Sequence, residues 1–142
     1  MYYTKYTREL SETVSLCKKL IEMSIFEKET IFTFDMWVIL PLSVVGLNYR
    51  HRALRREAIA ILKNLFRREG TWDAPMMGSV MEWMADKEEE GLGDEEYVPE
   101  DGIANICALD VNEPNRTVFV RCSKGVRGQP GVEEILQTTL SW

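Results

Sequence analysis

Arg67-Arg68-Glu69-Gly70-Thr71-Trp72-Asp73 stands between two stretches of helical periodicity, and its reading decides the fold. On its N-terminal side, residues 52 to 67 carry Leu54, Ala58, Ile61, Leu62 and Leu65 at three- and four-residue steps. That spacing gathers the apolar side chains on one face of a helix, with Arg55, Arg56, Lys63 and Asn64 elsewhere. Arg67 and Arg68 place cations near the negative end of that helix, and Gly70 permits the left-handed backbone that closes it. Asp73 is placed to cap a second helix, with Pro75 tolerated in the first turn. Trp72 fills the angle between them. Arg67, Arg68, Glu69, Gly70, Trp72 and Asp73 thus read as a structural corner joining two helices.

Working outward, the second helix presents Met76, Val80, Trp83 and Met84, and runs into Lys87-Glu-Glu-Glu90 before Gly91. Three acids at a helix C-terminus oppose its dipole, so fraying is expected there. Residues 92 to 102 are acidic and punctuated by Pro and Gly, as loops are. Ile103 to Val111 and Thr117 to Cys122 then read as a hairpin, with Val118, Val120 and Cys122 in period-two alternation. Val132 to Trp142 is expected as a short helix or an extended tail. Upstream, Tyr6, Leu10, Val14, Cys17, Leu20 and Ile21 form one stripe of an N-terminal helix over residues 5 to 24. A link from 24 to 34 holds Phe26, Phe32 and Phe34. Asp35 is the expected cap of the apolar segment beginning at Met36, within which Pro41 should kink or break a helix. Two regions follow: 1–30, an amphipathic helix with its link, and 31–142, ending in the hairpin. The expected fold is mainly α, helical with a C-terminal β-hairpin (α+β in strict terms).

Composition narrows the function. The 142 residues carry 17 Lys and Arg against 23 Asp and Glu, a formal charge of -6. Proteins that grip phosphates usually carry a basic surplus, so direct nucleic-acid binding is not expected. Cys17, Cys107 and Cys122 are scattered and His51 is the single histidine, which leaves no zinc-ligand spacing. No metal and no cofactor are expected. The first ten residues lack a signal peptide's apolar run, and Met36 to Leu47 is too short to span a bilayer. Nucleus or cytoplasm is the expected location, without a membrane.

Reactive groups are sparse. His51 lies between Arg50 and Arg52 with no nucleophile or orienting acid beside it in sequence, so a surface histidine starting a helix is the simpler reading. The carboxylates of 86–101 lack the alternation of a calcium loop. No catalytic residue is assigned. The cations Arg50, Arg52, Arg55, Arg56, Lys63, Arg67 and Arg68 form a basic stripe without interleaved aromatics. Internal docking is expected for it, with Arg67 and Arg68 bridging to the acids after Trp83. Met77, Met81, Trp83 and Met84 offer an adaptable apolar surface for a small effector or a partner, although core packing is the commoner use of such residues.

The order of these features resembles the C-terminal part of the fungal-specific transcription factor domain of zinc-cluster regulators. Phe34-Asp35 precedes an apolar segment with Pro41-Leu42. Tyr49-Arg50 and Leu54-Arg55-Arg56-Glu57-Ala58-Ile59 follow, then Arg67 to Asp73, Val80, Trp83 and Glu88-Glu89-Glu90-Gly91. The R-R-E-G-x-W-D run is the most specific piece, and the likeness covers roughly residues 30 to 142. The resemblance implies a helical regulatory region, here a regulatory-domain fragment, nuclear, concerned with metabolic or secondary-metabolite genes. In the family this region lies downstream of a head holding two zinc ions with six clustered cysteines. This chain has no such cluster, so the DNA-binding role does not carry over. A regulatory or interaction module is the expectation, with a protein partner or self-association. The alternative is a small metabolic-cluster protein that binds or transforms a small molecule in a helical pocket.

Overall fold

Helix α1 (Thr7–Ser24) turns Val14 and Cys17 into the core, with Leu10 and Ile21 packed beside them. Tyr6 and Leu20, expected on the same face, stay largely exposed. The structure, a computed structural model, describes residues 6–24, 31–33 and 38–142, with side chains for 6–23 and 38–142. The expected cap Asp35 and the aromatics Phe26 and Phe34 lie outside the described residues, as does the side chain of Phe32.

Helix α2 (Ile39–Asn48) buries Ile39, Leu42 and Val45. No kink is needed at Pro41, because the helix starts only two residues earlier. In a first turn the missing N–H would have had no intrahelical partner. Tyr49 then turns the chain, and its hydroxyl donates to Thr7 Oγ1 (2.6 Å), tying the start of α1 to this bend. Helix α3 (Arg52–Lys63) follows at once, with Leu54, Ala58, Ile59 and Leu62 inside.

The corner differs from its sequence reading. Helix α3 stops at Lys63, with Asn64 as its C-cap, rather than running to Arg67. Arg67–Glu69 is a strand, β2, paired in parallel with β1 (Ile31–Thr33) and antiparallel with β3 (Trp72–Asp73). Gly70, at φ +60°, makes the turn between β2 and β3 and does not close a helix. The strand's alternation is real but only three residues long: Arg67 and Glu69 point inward and Arg68 is half-exposed. So short a run leaves no periodic signal to read. The other half of the corner holds. Asp73 caps α4 (Ala74–Glu89) by accepting from Met76 N–H at 3.0 Å, Pro75 sits in the first turn, and Trp72 packs half-buried on the core.

Helix α4 is the centre of the molecule, lying against α2, α3 and the C-terminal strands. It buries Met76, Met77, Val80, Met81, Met84 and Ala85. Its approach to α3 is set by Gly78, where an added Cβ would meet Lys63 Cγ at 2.7 Å and Lys63 N at 2.8 Å. One of those atoms is backbone and cannot swing away. Gly78→Ala is therefore expected to lower stability by about 1–3 kcal/mol in urea unfolding, the usual penalty for overpacking. Unchanged stability would mean the two helices sit farther apart.

The expectation of a mainly α fold ending in one hairpin is overturned. The C-terminal third forms a three-stranded antiparallel sheet, β4 (Ala104–Asn112), β5 (Thr117–Gly125) and β6 (Glu133–Ser141), in the order β4-β5-β6. The fold is mixed α+β. Val118, Val120 and Cys122 of β5 face the helices as expected. Val132 to Trp142 is neither helix nor tail, because Leu136, Thr138 and Leu140 alternate inward along β6. Adjacent Ile135 and Leu136 hide that alternation in the sequence. One continuous core runs from Val14 in α1 to Cys122 in β5.

Candidate functional site

The densest constellation of charge surrounds Glu88, at the C-terminal end of α4. Its carboxylate is fully buried, as is the side chain of Arg55 on α3, and the two form an ion pair. Arg50 reaches the same carboxylate oxygen at 3.3 Å, and the other oxygen accepts from Ala104 N–H at 2.7 Å. Arg55 Nε also donates to the Gly46 carbonyl at 2.8 Å. The Arg55–Glu88 pair thus joins α2, α3, α4 and the first residue of β4. The next residue, Glu89, accepts from Arg56 on α3 and pairs with Arg52 at 3.3 Å. Arg52 further donates to the carbonyls of Gly93 and Glu95, and Arg127 to that of Glu88 at 3.1 Å. These cations offset the three acids at the helix terminus, and α4 runs to Glu89.

A second buried carboxylate, Glu69 on β2, caps α2 from a distance. Val38 and Ile39 donate their backbone N–H groups to it at 3.1 and 3.0 Å, and Arg67 Nε donates at 2.6 Å. Val38, in the N-cap position, offers no side-chain acceptor of its own. A carboxylate at a helix N-terminus meets both the orphan N–H groups and the positive end of the dipole.

These positions correct the expected docking of the basic stripe. Internal pairing is the rule, but the arginines that meet the acids after Trp83 are Arg50, Arg52, Arg55 and Arg56. Arg67 pairs with Glu69 two residues on, and Arg68 with Glu113 in the β4–β5 turn. Lys63 pairs with Glu82 across the α3–α4 contact. Met77, Met81 and Met84 are core residues, each at most 1% exposed, so they form no open surface; Trp83 is half-buried beside them.

His51 is the N-cap of α3. Its Nδ1 accepts from Leu54 N–H at 3.2 Å and its Nε2 lies 2.8 Å from Glu96. Both ring nitrogens are therefore engaged in local structure, and the ring stacks on Tyr49 and meets Tyr97 edge-on. Burial pushes the thiols of Cys17 and Cys122 up, which keeps them protonated and unreactive, while Cys107 is exposed. Among the described residues no group of three or more His, Cys, Asp and Glu is arranged to hold a metal ion, and no helix is long and apolar enough to cross a membrane.

Two concavities flank the Glu88 centre. An open polar cleft of about 410 Å³ lies between Asn48 and Arg50 on one side and the β5–β6 loop on the other, with Glu100, Asp101 and Glu133 in its walls. A smaller hollow of about 150 Å³ adjoins it at Asn48, Arg50 and Asn105, floored by Leu47, Met84 and Ile106. His51 lines neither. Part of the exposed apolar surface lies on the helices. Leu16, Leu20 and Met23 follow one another at i, i+4 and i+7 on α1, with Leu16 59% and Met23 77% exposed. Helix α2, packed on α1, adds Leu40 and Val44 one turn apart. This stripe lies beside the buried one on the same apolar half of α1, so sequence spacing does not separate the two. No family model, curated protein or solved structure matches the chain.

Proposed function

We propose that this chain is a regulatory interaction module derived from a transcription regulator of the zinc-cluster type, acting through protein contacts and without a DNA-reading element of its own. The observation that carries the reading is the apolar stripe Leu16, Leu20 and Met23, exposed among the described residues, with Leu40 and Val44 on the neighbouring helix. Burying one such side chain stabilises a contact by roughly 1.5–3 kcal/mol, so a partner covering the stripe gains several times that before its ordering costs. Exposed apolar side chains repeated along one helix face commonly mark a protein contact. The chemistry of the interior supports the same reading. Glu69, Glu88, Arg55 and His51 each take part in contacts that join elements of the fold.

The test is to fuse the chain to an unrelated DNA-binding domain in a fungal reporter strain. Reporter output should change with the wild-type fusion and return to baseline when Leu16→Glu and Leu20→Glu are introduced together, with the circular dichroism unaltered. An inert wild-type fusion, or full output from the double variant, contradicts the proposal.

A further inference from the structure

The geometry points to β6 as a pairing edge for a second copy of this chain, the two copies joining into one six-stranded antiparallel sheet about a two-fold axis through Gln137. This surface is separate from the helical stripe, so the inference goes beyond the reading above.

Strand β6 is an edge strand of nine residues, paired with β5 in unbroken register from Glu133↔Gly125 to Ser141↔Thr117. Among the described residues nothing pairs with its other side. Two flanking bonds fix which way its backbone points. Val126 N–H donates to the Val132 carbonyl at 2.9 Å, and Trp142 N–H to the Arg116 carbonyl at 3.2 Å. The even-numbered positions therefore bond to β5, and the odd-numbered ones direct their N–H and C=O groups to the open side. These are Glu133, Ile135, Gln137, Thr139 and Ser141.

Edge strands are normally guarded by proline, lysine, a bulge or a covering element. The opposite edge, β4, has such guards: its register breaks between Ile106 and Ala108, and its first N–H is taken by Glu88. Strand β6 has neither proline nor lysine, and no bulge. Its two acids lie at one end.

Self-pairing fits that charge pattern. A two-fold axis at Gln137 sets Glu133 opposite Ser141, Ile135 opposite Thr139, and Gln137 opposite itself. No like charges face each other. The exposed Ile135, 62% accessible, gains a β-branched neighbour across the junction. Glu133 arrives beside Ser141 at the end of the other copy's strand, away from that copy's own two acids.

The test is sedimentation of the purified chain from low micromolar to near-millimolar concentration, with two variants at the axis. The wild type should approach the mass of two chains. Gln137→Lys, which sets two ammonium groups face to face on an exposed strand, should raise the dimer dissociation constant by about fivefold or more. In a Cys107→Ser background, Gln137→Cys should oxidise to a covalent dimer, since directly opposed residues of a bonded pair lie within disulfide reach. Asp110→Cys, on β4, should not. The Leu16→Glu, Leu20→Glu chain should dimerise like the wild type, which keeps this inference separable from the helical contact. A monomer throughout the range, a Gln137→Lys chain that dimerises like the wild type, or equal cross-linking at 110 and 137 overturns it.

Discussion

Glu88→Gln is expected to lower the unfolding free energy by about 3–5 kcal/mol, the scale for removing one partner of a buried ion pair. The carboxylate is fully buried and serves Arg55, Arg50 and Ala104 N–H together. Glutamine keeps the shape and one acceptor oxygen, so no cavity forms and the loss is electrostatic. Its amide hydrogens would meet a guanidinium group in a site without solvent, and Arg55 would keep its charge with no counterion. Against a typical total of 5–15 kcal/mol the loss is large. Urea unfolding followed by tryptophan emission reads it directly. A change below about 1 kcal/mol, the size of an exposed pair, would mean that Glu88 is not a structural centre.

Glu69→Gln ranks second, at about 3 kcal/mol, combining a broken buried pair with a lost helix cap. One amide oxygen can still accept from Val38 or Ile39, but the NH2 group then faces donors on the other side. The effect should also be local. Amide exchange should accelerate in the first turn of α2 and in β2 while the β4-β5-β6 sheet keeps its protection, a pattern Glu88→Gln should not give because that residue holds both layers. Uniform acceleration across the chain would contradict the assignment of Glu69 as the cap of α2.

Much of this architecture was legible from side-chain spacing. Helices α1, α3 and α4, the Asp73 cap and the β4–β5 hairpin follow from periods of 3.6 and 2 and from capping chemistry. What stayed hidden was what local patterns cannot encode. Arg67–Glu69 is too short to show alternation, and its strand character comes from parallel pairing with a segment more than thirty residues away. Strand β6 is obscured by Ile135, whose exposed position places an apolar residue out of phase. The correction to the arginines has the same origin. A basic stripe and an acidic helix end predict that pairs will form, but which arginine meets Glu88 depends on how α3 and α4 pack against each other. The methionines were ambiguous in sequence because core and surface uses share one helical spacing, and only the layer covering α4 separates them.

The central claim is that the ionisable residues of the interior hold helices and sheet together, leaving function to the surface. A double-mutant cycle at Arg55 and Glu88 tests it most directly, using Arg55→Met and Glu88→Leu singly and combined. We expect each single variant to lose several kcal/mol, because each strands a buried group, and the double variant to recover much of that loss, with a coupling of at least about 2 kcal/mol. Additive losses, with coupling within about 0.5 kcal/mol of zero, would contradict the account.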